Sequence, residues 1–136
     1  MRQYLLSRNE PTADKVSRGS IATLANGVWI NDKIIHFVSK VLVTPRQNTS
    51  QLKVHIYSTF FMSRLLVEGA GRRGYNFEAV RNNDSRIKGG LGSLDELYIP
   101  INVNNVHWNF TRVKMMNKTI QLFDSQGTNT DNKKYL

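Results

Sequence analysis

Apolar residues recur at three- and four-residue spacing early in the chain and alternate with polar ones late in it. Ile34, Ile35, Val38, Val41 and Leu42 share one face of a helix over residues 31–43, with Asn31 or Asp32 placed to cap it and Pro45 to stop it. A second set, Ile56, Tyr57, Phe60, Phe61, Leu65 and Leu66, has the spacing of another helix, with Ser58 or Thr59 near its start and Gly69, Gly71 and Gly74 at its end. A short helix fits residues 75–81. From Leu97 the character changes: 97–103, 107–114 and 119–123 read as three strands, the last two joined by a turn at 115–118. Residues 1–20 are polar and aperiodic and read as a flexible arm, 21–28 as a transition with a turn at Asn26-Gly27, 46–53 as a polar loop, and 133–136 as the opening of a helix. Helices first and strands second predict an α+β fold in one domain over residues 21–136.

The hairpin carries the sharpest pattern-based expectation. With 115–118 as its turn, Lys114 faces Thr119, and counting back along both strands Asn109 faces Asp124. His107 shares the face of Asn109, so His107 and Asp124 become diagonal neighbours roughly 7–8 Å apart at the backbone and within side-chain reach. A carboxylate beside an imidazole fixes its tautomer and stabilises the imidazolium that forms when the ring takes a proton. A three-residue turn would instead place the two side chains on opposite faces, and a structural histidine at a strand end is the competing reading.

Composition narrows the classes. The 136 residues are 40% hydrophobic and 21% charged, ordinary for a globular domain. They contain no Cys, which excludes a disulfide framework, a thiolate metal site and a cysteine nucleophile within the chain. No apolar run reaches the ~18 residues of a membrane span, and no secretory leader is evident, so an intracellular setting is expected. The net charge of +9 favours acidic partners, protein or nucleic acid, although the basic residues do not cluster as a dedicated nucleic-acid binder's would.

The remaining candidates weigh less. Trp29 and Trp108 are the two tryptophans; both fit as core anchors, and Trp108, directly after His107, also fits as the border of a cleft. His36 and His55 lack a second ligand at metal spacing and read as structural, so no metal or cofactor is expected. Gly69-Ala-Gly-Arg-Arg-Gly74 matches GxGxxG but follows a helical pattern instead of a strand, so it reads as a helix terminator and loop. Arg72, Arg73, Arg81, Arg86 and Lys88 form a loose basic group, either a solvated face or a docking patch.

Several segments, in one order, resemble the Ulp/SENP family of SUMO-specific cysteine proteases. Trp29-Ile-Asn-Asp32 resembles the family's Trp-Leu-Asn-Asp helix opening, and Thr59-Phe60-Phe61 its Thr-Phe-Phe segment. Ile99-Pro-Ile-Asn102, His107-Trp108 and Phe123-Asp124-Ser125 resemble its Ile-Pro-x-Asn, His-Trp and Tyr-Asp-Ser strands, and Tyr135-Leu136 the start of its next helix. The resemblance covers about residues 25–136 and does not extend clearly over 67–95.

The resemblance implies a partial papain-like cysteine protease fold, with His107 as catalytic base and Asp124 as its orienter. It implies that Trp29 and Trp108 wall a tunnel that passes the Gly-Gly of a ubiquitin-like tail and excludes side chains, and that Asp32 contacts the modifier or caps its own helix. The family's Cys and oxyanion-hole Gln lie beyond the Tyr-Leu segment, so 21–136 is expected to be a truncated peptidase domain: a fragment, a truncated product or a degenerate relative, inactive alone. The expected partner is SUMO or another ubiquitin-like protein and its conjugates, in nucleus or cytoplasm. The alternatives are a non-catalytic module that binds the modifier and, less favoured, a basic nucleic-acid-binding domain.

Overall fold

The computed structural model describes residues 4–5, 15–43, 52–69 and 72–127. The chain forms two compact units, Met1–Ser50 and Gln51–Leu136.

In the first unit, β1 (Tyr4–Leu5) pairs antiparallel with β2 (Val16–Ser17), and α1 (Arg18–Ala22) follows at once. Within the stretch expected as a flexible arm, the described residues thus form a strand pair and the start of a helix. Ser17 ends the strand and caps the helix, its Oγ accepting from Ser20 N–H at 3.1 Å. The Asn26-Gly27 turn forms as expected, closed by Val28 N–H on Ala25 O at 3.2 Å, with Gly27 at φ 75° where a side chain would be strained. Next comes α2 (Asp32–Phe37), which runs on as a π-helical turn over Val38–Val43. Asn31 is the cap, its Oδ1 accepting from Ile34 N–H at 3.1 Å. At the change of register the Ser39 hydroxyl donates to Ile35 O at 2.8 Å, competing for a carbonyl of the α ladder. Pro45 lies outside the described residues, as do 46–51 of the loop expected over 46–53 and the helix opening expected at 133–136.

The second unit is built on a four-stranded sheet in the order β3-β6-β7-β8. These strands are β3 (Val54–Ile56), β6 (Glu96–Val103), β7 (His107–Lys114) and β8 (Thr119–Phe123). The pair β3–β6 is parallel; β6–β7 and β7–β8 are antiparallel hairpins. The three strands read from alternation are therefore present at their expected positions. The helix expected from Ile56 to Leu66 is not. Val54–Ile56 is a strand because β6 supplies it a ladder, and Tyr57 N–H extends that ladder onto Tyr98 O at 2.9 Å. Only α3 (Phe61–Leu65) is helical, and Leu66 leaves the helix in an extended conformation to begin β4 (Leu66–Gly69). The glycine-rich segment is a second correction: β4 pairs antiparallel with β5 (Arg72–Tyr75), with Gly69 as the last residue of β4 and Gly74 inside β5, so neither of these two glycines terminates a helix. The helix expected at 75–81 is replaced by turns and a 3-10 helix over Arg81–Arg86. Gly89, at φ 83°, sits so close to Ser93 that an added Cβ would lie 2.9 Å from its Cβ.

Tyr57, Phe61, Met62, Val80, Leu97, Ile101 and Val103 make the core of this unit, between α3 and one face of β6. Tyr57 and Phe61 stack with ring centroids 3.9 Å apart. Among the described residues no helix is long and apolar enough to cross a membrane.

Candidate active site

His107 is the first residue of β7, directly behind the turn Val103–Val106. Asn104 and Asn105 occupy the left-handed region at φ 52° and 59°, which asparagine tolerates and a tight hairpin of this hand requires. Asn102 Oδ1 accepts from Asn105 N–H at 2.8 Å, and Val106 N–H donates to Val103 O at 3.1 Å. The hairpin therefore closes against the histidine and leaves its register with β6, Val103 opposite His107, no freedom to slip.

On its other side β7 pairs with β8 from Lys114–Thr119 to Phe110–Phe123. This is the register expected from a turn at 115–118; the ladder ends at Phe110–Phe123, and its continuation by one step would set Asn109 opposite Asp124. The His107 and Asp124 side chains meet there, with Nε2 2.7 Å from Oδ1 and side-chain exposures of 9% and 6%. A carboxylate only accepts, so Nε2 carries the hydrogen and the basic lone pair of the neutral ring is on Nδ1. Asp124 is itself tied down: its Oδ1 also accepts from Gln126 N–H at 2.9 Å, and Gly127, at φ 88°, donates from its N–H to Asp124 O at 3.3 Å. An oriented imidazole beside a fixed carboxylate can take a proton at Nδ1 and hold the resulting cation.

Trp108 pairs with Asn102 and points to the opposite face of the sheet, half-buried. Trp29 and Asp32 belong to the first unit. Trp29 is 55% exposed, so it is not a core anchor. Asp32 is the first residue of α2 and the cap is Asn31, so the capping alternative for Asp32 is not what the structure holds. Among the described residues no group of three His, Cys, Asp or Glu side chains is placed to hold a metal ion.

The sequence reading missed three features. The Gln126 N–H that fixes Asp124 was one; its signal is Asp followed three residues later by Gly, an Asx-turn pattern. On the sheet face away from His107, Arg112 Nε–H donates to Glu96 Oε2 at 3.0 Å and its Nη2 to Glu96 Oε1, while Tyr98 O–H donates to Oε2 at 2.8 Å. The arginine bonds hold the Glu96 carboxyl below its ordinary range against the opposing effect of burial. Third, Tyr57 O–H donates to Asp84, and His55 stands edge-on to Tyr57 at 5.2 Å, its pKa lowered by burial, with Asp84 partly opposing.

Helices followed by a sheet whose adjacent strands present a buried His–Asp pair fit an α+β, papain-like fold. Residues 28–136 match the Ulp1 protease family, C-terminal catalytic domain, and the chain belongs to that family. It is 28% identical over 113 residues to human Sentrin-specific protease 2, covering 83% of this chain and 18% of that protein. To Ubiquitin-like-specific protease 1 of Saccharomyces cerevisiae it is 34% identical over 103 residues, covering 76% of this chain and 15% of that one. Among solved structures it superposes on the C-terminal Ulp1 protease domain in complex with Smt3, the yeast ortholog of SUMO, with a TM-score of 0.70 and 28% identity over 99% of this chain and 58% of that one. The chain thus spans less than a fifth of the length of these curated relatives.

Proposed function

We propose that this chain carries the base and orienter of a cysteine peptidase that cleaves after the Gly-Gly of a SUMO-type modifier. The observation that supports it most directly is the 2.7 Å contact of His107 Nε2 with Asp124 Oδ1, in a chain of the Ulp1 protease family. His107 Nδ1 takes the proton of a thiol, the thiolate attacks the carbonyl carbon, and the imidazolium returns the proton to the departing amine. Asp124 holds the ring in the tautomer that keeps Nδ1 basic. The 136 residues contain no cysteine, so the thiol must come from outside them. Trp29, Asp32 and Trp108 are each proposed as contacts for the modifier or its tail; a large indole left 55% exposed, as at Trp29, suits contact with a partner. The partner is SUMO or a similar ubiquitin-like protein and its conjugates. The setting we infer is intracellular, in nucleus or cytoplasm, where such conjugates are made.

Two measurements test this. The 136-residue chain should form no covalent adduct with an electrophilic SUMO probe; an adduct would mean that some other side chain is the nucleophile. A chimera joining residues 1–136 to the cysteine-bearing remainder of the yeast Ulp1 domain should hydrolyse a SUMO–amide substrate. In it His107→Ala should abolish turnover, and Asp124→Asn should lower kcat by up to ~10⁴-fold with binding largely kept. Near-full activity of His107→Ala overturns the proposal.

A further inference from the structure

The buried face of β7 carries three polar residues in a row, His107, Asn109 and Thr111, where the interior face of a sheet ordinarily carries apolar ones. Asn109 is the most deeply buried of them, at 1% exposure. An amide in that position is costly unless both its carbonyl and its NH2 are hydrogen-bonded. Thr111 Oγ1 is the buried side-chain polar atom without a hydrogen-bond partner among the described residues, so the Asn109 amide, buried two residues along on the same face, is satisfied.

The register limits where its partner can be. Toward β6 the cross-strand neighbours of His107, Asn109 and Thr111 are Val103, Ile101 and Ile99, whose side chains accept nothing. Toward β8, Thr111 faces Leu122, again apolar, and the continuation of the ladder one step past its end at Phe110–Phe123 would set Asp124 opposite Asn109. Facing residues of an antiparallel pair have Cβ atoms roughly 4.5–5.5 Å apart, a span that an amide and a carboxylate bridge with one hydrogen bond. Asp124 Oδ1 already receives His107 Nε2–H and Gln126 N–H. Its other oxygen belongs to a side chain only 6% exposed and needs a donor as well.

We infer that Asn109 is a positioning residue: its side-chain NH2 donates to Asp124 Oδ2 and sets the plane of the carboxylate, so that Oδ1 stays aimed at His107 Nε2. Asn109 touches no reacting atom and acts on the chemistry only through Asp124. The inference rests on the reading of His107 and Asp124 as base and orienter. It adds a second hold on the carboxylate from the strand that carries the histidine, beside the one from the Asx turn.

The test uses the 136-residue chain itself. Nitrogen-15 shifts of the His107 ring, read at a pH where the imidazole is neutral, report which nitrogen carries the hydrogen. The wild-type chain should show the Nε2–H tautomer almost exclusively, and Asp124→Ala should relax it to the mixed ratio of a free imidazole, in which Nδ1–H is a substantial minor form. Asn109→Leu, nearly isosteric but without a donor, should shift the tautomer balance toward that of Asp124→Ala, while Asn109→Ser, which keeps a donor, should hold it nearer wild type. A folded Asn109→Leu chain with the wild-type tautomer balance overturns the inference. If Asp124→Ala leaves the ring unchanged, the His–Asp reading itself fails; if Asp124→Ala moves it and Asn109→Leu does not, only the role of Asn109 fails. A second measurement requires no change at Asn109: its side-chain NH2 should exchange slowly with solvent in the wild-type chain and faster in Asp124→Ala. An unchanged rate also overturns the inference, even where the leucine variant does not fold.

Discussion

Glu96 and Asp124 are both carboxylates on the same sheet, yet they serve opposite faces of it. Asp124 meets an imidazole and one backbone N–H of its turn; Glu96 meets a guanidinium and a phenol. The Glu96 pair has a consequence for acid stability. Its carboxyl is held below the ordinary range in the folded chain, chiefly by Arg112. Between the unfolded value of about 4.3 and that lower folded value the unfolded chain binds more protons, so the stabilisation is present above about pH 4.3 and is lost as pH falls through the folded pKa. Arg112→Met removes the cause of the shift. Its urea midpoint should therefore fall less than that of the wild type between about pH 6 and pH 3.5. Equal losses would show that the pair contributes nothing to acid stability.

Among the elements, α2 depends most visibly on one residue. Asn31 satisfies the Ile34 N–H at the start of a six-residue α-helix, too short to persist without tertiary support. Asn31→Ala should cost about 1 kcal/mol, read as a lower thermal midpoint by circular dichroism, whereas Asp32→Ala should cost less because Asp32 does not cap. That helix was legible in the sequence because its signals are local: a cap, a spacing and a proline within one stretch. The β6–β7–β8 meander was legible for the same reason, since alternation and short turns fix both strand identity and register, and with them the meeting of His107 and Asp124. What could not be read is what distant residues impose. Ile56, Tyr57, Phe60 and Phe61 have helical spacing, but Val54–Ile56 is claimed by a parallel ladder with residues 96–98, a partner that no local pattern contains. The hairpin Leu66–Tyr75 was hidden because glycines at 69, 71 and 74 are as compatible with the end of a helix as with a turn between strands. The placement of Asn109 was legible only as a position; its depth of burial was not.

At the scale of the molecule, the His107 strand lies inside the sheet, laddered on both sides, while the outer positions fall to β3 and β8. Interior strands are the last to open in native-state exchange, because their amides are released only when a neighbouring ladder breaks. The parallel ladder of β3 with β6 gives this an order in time. Parallel strands cannot be joined by a tight turn, and here everything from residue 57 to residue 95, including α3 and the β4–β5 hairpin, lies between them. The two antiparallel hairpins close loops of a few residues and can form early; β3 must wait until that long connection has folded back on itself. Amides of residues 54–56 should accordingly gain protection late in pulse-labelled refolding and lose it early in native exchange, with residues 107–113 at the other extreme; the reverse order would rule out this sequence of events. The chain would then assemble its histidine and carboxylate before the sheet is complete.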